Sequence, residues 1–303
     1  MKKYDIITAF DICVDMILDL GNAEPEFGQK EKLINGYNLE MGGSACIFAS
    51  QCAKLGLKTT GIGAIGDDSF GEFMKMSLQN NGVCVSNLKL AENKTAVTIC
   101  LNKSNGDRGM LTYMGNINAV KKEWLLELLP QTRHLHICSF FLFENLIDFY
   151  PEICKKAKEL GVTISLDTNW DPNETWDSGL KDVLPYIDIF LPNENELMLI
   201  TGKSNIKEAL ESVKIPIIVV KCGDKGAYVY NRGEIYKQPA LEVDFIDAVG
   251  AGDSFNGGFV YGFLSGLSMQ ECLKLGTICG SLNVTKSGGT AGQPNINDIR
   301  RYI

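Results

Sequence analysis

The chain has 303 residues, 45% of them hydrophobic, which allows one large α/β domain or two small ones. A net charge of −8 without any cluster of Lys and Arg argues against a nucleic-acid surface and favours a small-molecule partner. No apolar run has the length of a membrane span and the first residues show no cleavable signal pattern, so we expect a cytoplasmic protein that does not bind membranes.

Short β-branched runs alternate with helical patterns along most of the chain. Such alternation predicts right-handed crossovers and an α/β fold with a central, mainly parallel sheet flanked by helices. In chain order the predicted strands of this sheet are YDIITAF, TTGIGAI, HLHICSFF, VTISLDTN, IDIFLPN and IPIIVVKCG.

Two stretches break this rhythm, at residues about 14–40 and 94–115. Both contain extended segments joined by turns, so they could meet as a small second sheet. No linker or low-complexity tract separates them from the remainder, and we therefore predict a single domain over residues 1–303 with these insertions as a small β-sheet lid. An exposed lid sheet could also pair with that of another subunit, which makes a homodimer an open alternative to a monomer.

The segment Gly61–Gly66 is formally a GxGxxG motif and raises an NAD-dependent oxidoreductase as a rival function. In a dinucleotide-binding fold these glycines follow a finished strand and open a helix. Here Ile62 and Ile65 alternate with the glycines as they would in a strand, and the helical pattern begins only after Asp68. This placement disfavours the oxidoreductase.

The strongest chemical signal is IDAVGAGDSFNGGFVYGFLSG, residues 246–266. Gly250, Ala251 and Gly252 leave backbone N–H groups unobstructed at the start of a long apolar helix, where these donors and the helix dipole favour an anion. Asp253 follows in the first helical turn. This arrangement suits phosphoryl transfer, because the amides stabilise charge on the moving group while the carboxylate accepts a proton from the attacking hydroxyl. A helix start with a tight turn is the alternative interpretation.

This segment resembles the second signature of the ribokinase-like carbohydrate kinases, the PfkB family. Four further motifs stand in the family's order across nearly the whole chain. They are MGGSACIFASQCAKLG at 41–56, GAIGDDSFGEFM at 63–74, PNENE at 192–196 and VVKCGDKGAYVY at 219–230. The resemblance implies a ribokinase-like fold and ATP-dependent phosphorylation of a hydroxyl on a sugar or sugar-like small molecule.

The resemblance also implies the roles of individual residues at the nucleotide end. Asp253 would be the catalytic base, and the backbone of Gly250, Ala251 and Gly252 would form the anion hole. Asn193 and Glu196 would belong to the network that orders Mg²⁺ and the triphosphate, although without the resemblance they indicate only a helix start after Pro192. The other implied nucleotide-site residues are Lys221, Gly223, Gly226 and Thr277, with Asp247 at a K⁺ site in relatives that use one.

The substrate end departs from the family's pattern. Segment FDICVD, residues 10–15, resembles the family's first strand and places Asp15 at the position that commonly binds sugar hydroxyls. Cys13 and Ile47 stand where similar kinases carry Asn, so two hydrogen-bonding groups are replaced by less polar ones and free ribose is disfavoured. The remaining candidates are Gly42 and Gly43, which let backbone approach the substrate, and Asn169 and Arg108, whose alternatives are turn chemistry and a solvated lid charge.

Two other functions stay open at this stage. One is a nucleoside kinase of the same fold. The other is a catalytically idle, ligand-sensing relative, since the two substrate-site asparagines are replaced at Cys13 and Ile47. The intact GAGD motif and the Asn193/Glu196 pair favour turnover over sensing. The chain lacks the Walker motif of P-loop enzymes and the HRD and DFG motifs of protein kinases, which excludes those classes.

Overall fold

The computed structural model describes residues 2–105 and 107–302, so Gly106 of the predicted lid segment lies outside the described residues. In chain order the strands are β1 (Tyr4–Ala9), β2 (Cys13–Gly21), β3 (Gly36–Met41), β4 (Thr59–Gly66), β5 (Leu88–Ala91), β6 (Ala96–Lys103), β7 (Arg108–Tyr113), β8 (Thr132–Ile137), β9 (Thr163–Leu166), β10 (Ile189–Phe190), β11 (Ile217–Lys221), β12 (Ala227–Asn231) and β13 (Glu234–Gln238).

The helices alternate with these strands. They are α1 (Ser44–Lys54), α2 (Ser69–Asn80), α3 (Lys122–Leu128), α4 (Glu144–Ile147), α5 (Tyr150–Glu159), α6 (Leu180–Val183), α7 (Glu194–Thr201), α8 (Ile206–Ser212), α9 (Ala251–Leu264), α10 (Met269–Asn283) and α11 (Ile296–Ile299). Within residues 2–105 and 107–302, none of these helices combines the length and the apolar character needed to cross a membrane.

Over the described residues, nine strands form one large sheet in the order β13-β12-β11-β10-β9-β8-β1-β4-β5. The pairings from β11 to β5 are parallel, and only β12 and β13 join antiparallel at one edge. The prediction of a mainly parallel sheet is confirmed. Because the carboxyl ends of parallel strands meet at one edge, the loops that follow β1, β8, β9, β10 and β11 lie side by side.

Helices cover both faces of the large sheet. Neighbouring residues of β1 point to opposite faces, so Ile6 packs in one hydrophobic cluster and Ile7 in another. The cluster around Ile6 contains Phe48 of α1 and Phe259 of α9, whereas the cluster around Ile7 contains Ile153 of α5. Burial on both faces explains the nearly continuous apolar runs of these strands in the sequence.

The second sheet has four strands in the order β3-β2-β6-β7 within the described residues. Strands β2 and β6 pair in parallel, while β3 and β7 add antiparallel edges. The two predicted insertions therefore do meet as one small sheet. Its facing residues divide by polarity: Asp15, Glu40 and Thr98 share one face, and Met16 and Leu39 share the other.

The predicted position of the GxGxxG glycines is confirmed. Gly61, Gly63 and Gly66 lie inside β4, and α2 begins only at Ser69 with Asp68 as its N-cap. A Cβ at Gly61 would lie 2.5 Å from the Phe10 ring, so glycine at this position leaves room for the Phe10 side chain in the core. The glycines are thus packing residues of a central strand, which removes the basis for the dinucleotide-binding rival.

Candidate functional site

The start of α9 faces the edge where the parallel strands end. Gly250 is its N-cap in a left-handed conformation, with φ 70°, and a Cβ there would lie 2.7 Å from the carbonyl oxygen of Gly289. Gly252 is less crowded, since its nearest neighbour would be the Nζ of Lys221 at 3.6 Å. The N–H of Ala251 already donates to the carbonyl oxygen of Ala248 at 3.2 Å, while glycine at positions 250 and 252 puts no side chain beside the N–H groups there.

Asp253 lies in the first turn of α9 with only 8% of its surface exposed. Burial, and then the nearby Asp167 carboxylate, raise the pKa of Asp253 well above its ordinary value. The Lys221 ammonium opposes this rise in the pKa. A buried carboxyl group with an elevated pKa next to unobstructed N–H donors is an arrangement typical of acid–base sites.

A buried ion pair joins the ends of two strands beneath α9. The Nζ of Lys221, at the end of β11, lies 2.5 Å from Oδ2 of Asp167, directly after β9. Asn256 of α9 donates from Nδ2 to the same oxygen at 2.5 Å. Burial lowers the pKa of Lys221, but the Asp167 and Glu196 carboxylates outweigh that effect and raise it above its ordinary value.

Asn193 and Glu196 form a reciprocal cap at the start of α7. The N–H of Glu196 donates to Oδ1 of Asn193, and the N–H of Asn193 donates to Oε2 of Glu196, both at 2.9 Å. Burial and then Asp167 raise the pKa of Glu196 to about 7, with Lys221 acting in the opposite direction. The helix-start interpretation is therefore realised, and it leaves the second carboxylate oxygen of Glu196 outside the cap.

A cavity of about 530 Å³ opens next to the start of α9, within the size range of small-molecule sites. Gly226 at the wall of this cavity has φ 94°, and a Cβ there would lie 2.0 Å from the carbonyl oxygen of Gln238, so the position requires glycine. Four residues that sequence analysis placed at a nucleotide site line this cavity together with Ala251 and Gly252: Lys221, Gly223, Gly226 and Thr277. Asn193 adjoins it through a backbone bridge to Lys221.

On the other side of α9, the polar face of the small sheet meets the start of α1. A Cβ on Gly42 would lie 2.4 Å from Oδ1 of Asp15, so the glycine lets this carboxylate approach the backbone. Burial raises the pKa of Asp15 to about 6, and the nearby Arg108 guanidinium opposes the rise. Gly43, with φ 83°, is the N-cap of α1 and packs against the carbonyl oxygen of Asp11.

Asp15 lies in β2 of the small sheet, inside the predicted insertion 14–40. Segment 10–15, which resembles the family's first strand, begins after β1 ends at Ala9 and runs into β2. The N–H of Phe10 makes a last bond to Ile62 in the large sheet, and the chain then crosses to pair with β3 and β6. Buried apolar residues on both sides of the crossing, Ile12 and Val14 among them, conceal this change of sheet in the sequence.

The two positions that depart from the family's pattern are both buried. The Sγ of Cys13 lies 3.4 Å from Oγ1 of Thr98, so the thiol keeps a weak polar partner. Ile47 packs between the start of α9 and the loop after α10, since its Cγ2 would lie 2.9 Å from a Cβ on Gly250 and its Cδ1 2.5 Å from a Cβ on Gly289. Ile47 therefore fills space beside the start of α9 with an apolar side chain.

Asn169 and Arg108 occupy different environments. Asn169, with φ 55°, donates from Nδ2 to the hydroxyls of Ser44 at 2.7 Å and Ser139 at 3.0 Å. Arg108 is exposed at the start of β7 and acts electrostatically on Asp15 and Cys100. Asn169 is thus built into the site, while Arg108 stands at its rim beside a carboxylate.

Asp247 holds the loop that precedes α9. Its Oδ1 accepts the N–H of Val249 at 3.1 Å and its Oδ2 accepts the N–H of Gly288 at 3.0 Å. Within residues 2–105 and 107–302, no cluster of three or more His, Cys, Asp or Glu side chains could hold a metal ion. Through its two hydrogen bonds Asp247 holds the loop before α9 against Gly288.

Sequence reasoning missed two buried carboxylates. Asp11, two residues past β1, accepts the N–H groups of Ser44 and Ala45 at 3.0 Å and the Ser139 hydroxyl at 2.6 Å. Asp167 directly follows β9. Both are the first charged residue after a buried run, and that position at the carboxyl end of a parallel strand is the signal that could have found them.

Comparison with known proteins identifies the group to which these features belong. A family model described as pfkB family carbohydrate kinase matches residues 7–296. A ribokinase of Haemophilus influenzae is 25% identical, with 92% of this chain and 93% of that protein covered.

Solved structures share the fold. A chain described as a ribokinase II from E. coli, in complex with ATP and Mg²⁺, superposes with a TM-score of 0.86 at 24% identity and covers 99% of this chain and 98% of that one. The adenosine kinase from Sinorhizobium meliloti gives a TM-score of 0.87 at 21% identity, covering 99% and 100%. The resemblance drawn from the sequence motifs and the expected ribokinase-like fold are confirmed.

Proposed function

The chain belongs to the pfkB family of carbohydrate kinases and is a phosphotransferase acting on a sugar hydroxyl, and from this premise we propose that Asp253 is its catalytic base. The sugar hydroxyl attacks the γ-phosphorus of ATP, the bond from that phosphorus to the bridging oxygen breaks, and the hydroxyl proton passes to Asp253. The observation that carries this proposal is the buried Asp253 carboxyl group in the same helical turn as unobstructed N–H donors.

We assign the anion hole to the backbone of Gly250, Ala251 and Gly252. N–H donors that are fixed in place before the reaction stabilise negative charge on the moving phosphoryl group well, because they need no reorganisation during the reaction. The positive end of the α9 dipole adds to this effect. Gly252 suits the role, because a Cβ there would lie in the space between α9 and Lys221.

ATP is assigned to the 530 Å³ cavity. Its walls suit a nucleotide: Phe255 and Leu241 supply apolar surface, and the glycines at 223 and 226 keep the backbone open. Thr277 lies on α10 at the same wall, where its hydroxyl donates to the carbonyl oxygen of Leu273 at 2.9 Å. Lys221 would lie at the phosphate end, beside the start of α9.

Mg²⁺ fits this site as a triphosphate-bound ion. Mg²⁺ retains several waters and needs only one or two protein carboxylates, and the carboxylate of Glu196 keeps one oxygen outside its cap. When bound, the ion supplies positive charge to the phosphates, and Asn193 and Glu196 would hold its water shell. Asp247 stays a candidate for K⁺ binding only because it holds the loop before α9 by its hydrogen bond to Gly288, and K⁺ would bind at that loop.

The substrate is assigned to the cleft between the small sheet and α1. Asp15 and Asn169 supply the polar groups, and Gly42 and Gly43 bring the backbone close. Cys13 and Ile47 form the less polar edge, so we expect a substrate without a hydroxyl at that edge. Arg108, whose guanidinium acts electrostatically on the Asp15 carboxyl group, would pair with a carboxylate or phosphate on the substrate.

We propose that the small sheet is the lid of a single kinase domain. Its polar face turns to the cleft, whereas the outward face carries Met16, Leu39, Leu111 and Tyr113. Leu111 is 63% exposed and Tyr113 51% exposed, which makes this face a candidate surface for a second copy of the chain. The cytoplasmic location expected from the sequence stays a prediction.

A screen of ATP consumption tests the proposal and separates it from its two alternatives. Purified protein with Mg²⁺ and ATP is given sugars, deoxy sugars, sugar acids, sugar phosphates and nucleosides, and ADP release is followed. We expect one sugar or sugar-like compound to accelerate ADP release strongly. Acceleration by nucleosides alone would establish the nucleoside kinase, and slow hydrolysis that no compound accelerates would establish the ligand sensor.

A further inference from the structure

The buried ion pair of Lys221 and Asp167 lies where the strand ends meet α9. The side chains are 14% and 3% exposed, and Nζ and Oδ2 are 2.5 Å apart. Asn256 donates to the same Asp167 oxygen, and it lies three residues after Asp253 on α9. The helix that presents Asp253 is therefore fastened to Asp167, and Asp167 in turn fixes Lys221.

The Lys221 ammonium also faces the start of α9. Its Nζ would be 3.6 Å from a Cβ on Gly252, and Lys221 lines the same cavity as Gly252 and Ala251. An ammonium has three N–H donors. Among residues 2–105 and 107–302, Asp167 is its one hydrogen-bond acceptor, so further donors are available to an anion in the cavity.

We propose that Lys221 is a further catalytic residue, which stabilises the negative charge of the transferring phosphoryl group, and that Asp167 is a positioning residue that aims it. This inference rests on the proposed function. As the hydroxyl oxygen bonds to phosphorus and the bond to the bridging oxygen of ADP breaks, Lys221 donates hydrogen bonds and gives up no proton. The hydroxyl proton still goes to Asp253.

The ion pair acts on Asp253 as well. The charged groups that face Asp253 are Asp167 and Asp11, which raise its pKa, and Lys221, which lowers it. The neighbouring thiols of Cys46 and Cys138 stay protonated, because burial raises the pKa of each well above the ordinary value. Removing Lys221 and removing Asp167 must therefore shift the titration of Asp253 in opposite directions.

Three variants test this inference: Lys221→Met, Asp167→Asn and the double variant. The readouts are kcat and the dependence of kcat/KM on pH, with the best substrate from the screen. For Lys221→Met we expect kcat to fall about 10²-fold, as for loss of one donor to a developing oxyanion, and the acid limb to move to higher pH. For Asp167→Asn we expect a smaller fall in kcat and an acid limb at lower pH.

The double variant separates catalysis from mere charge balance. It removes both charges of the pair, so neither partner is left buried alone and the variant should fold even where Lys221→Met does not. If Lys221 acts on the phosphoryl group, kcat of the double variant stays about 10²-fold low. If Lys221 only neutralises Asp167, kcat recovers to near the wild-type value, which would overturn the proposal.

Lys225→Met is the matched control, because Lys225 lies in the turn that follows β11 and its side chain is 74% exposed. Its kcat and pH profile should equal those of the wild type. If the acid limb of the pH profile stays in place in both Lys221→Met and Asp167→Asn, or moves in the same direction in both, the assignment is refuted. Loss of the proposed function is recognised separately, since a wild-type kcat in Asp253→Asn would remove Asp253 as base whatever Lys221 does.

Discussion

The glycines around Asp253 illustrate how far individual residues can be interpreted from sequence. The GAGD pattern correctly predicted a helix start, but it treats Gly250 and Gly252 alike. The structure separates them: Gly250 adopts φ 70° against the Gly289 carbonyl oxygen, whereas Gly252 is helical with room for a Cβ. The first is required by the backbone, and the second is available to a ligand.

We predict opposite consequences for alanine at these two positions. Gly250→Ala should lower the melting temperature, because the left-handed conformation and the 2.7 Å contact both oppose a Cβ. Gly252→Ala should keep or raise the melting temperature, since Ala favours a helix, yet lower kcat about 10-fold or more by filling the anion hole. Thermal unfolding and steady-state kinetics of the pair check this. A Gly252→Ala enzyme with full kcat would contradict the assigned anion hole.

The shifted pKa of Asp11 could not be predicted from the sequence. Asp11 is buried, and burial raises its pKa from 3.8 to about 6 against the hydrogen bonds from Ser139, Ala45 and Ser44. Between these two values the folded chain binds more protons at Asp11 than the unfolded chain does. Stability contributed by this group therefore falls as pH rises from about 4 to 6 and is constant above that range.

We predict that Asp11→Asn removes this fall. The free energy of unfolding at pH 4 minus that at pH 7 should be smaller in the variant by about 2 kcal/mol, because each unit of pKa shift is worth about 1.36 kcal/mol and the unfolded chain is already partly protonated at pH 4. Urea unfolding at the two pH values measures it. The surface variant Asp177→Asn, which breaks only an exposed pair with Lys181, should match the wild type. Equal pH dependence in all three proteins would disprove the assignment to Asp11.

At the scale of elements, the sequence predicted features that depend on a local pattern better than contacts between distant residues. The alternation of strands and helices, the strand nature of Gly61–Gly66 and the start of α9 are local, and all were confirmed. The meeting of Asp11, Asp167 and Lys221 was not predicted. Their strands are far apart in sequence, and only the order β11-β10-β9-β8-β1 brings their carboxyl ends together.

The small sheet gives a prediction about motion. We expect β2, β3, β6 and β7 to close over the cleft when substrate binds, because their polar face carries Asp15 and Thr98 toward it. Closure should slow hydrogen exchange of the backbone amides in these strands. Exchange followed by mass spectrometry, with and without saturating substrate, measures it.

Strands β12 and β13, at the far edge of the large sheet, provide the internal reference for this exchange experiment. Their exchange should change little on addition of the sugar alone. Unchanged exchange in the small sheet under saturating substrate would contradict the lid.

At the scale of the whole molecule, the outward face of the small sheet leaves apolar side chains exposed in a single copy. We predict a dimer through this face, and Leu111→Asp should convert it to a monomer, because a carboxylate cannot be buried there unpaired. Light scattering over a range of concentrations gives the mass. Leu90→Asp is the control, since Leu90 is 71% exposed at the edge strand β5 of the large sheet. A monomeric wild type would rule out the dimer.

The central claim concerns one carboxylate, Asp253, and the kcat of Asp253→Asn tests it most directly. The isosteric amide keeps the start of α9 but cannot accept the hydroxyl proton, so kcat should fall by about 10²-fold or more while the dissociation constant for ATP stays near that of the wild type. Asp244→Asn, an exposed carboxylate on the segment before α9, should retain full kcat. A near-wild-type kcat in Asp253→Asn, with the substrate that the enzyme prefers, would contradict the account.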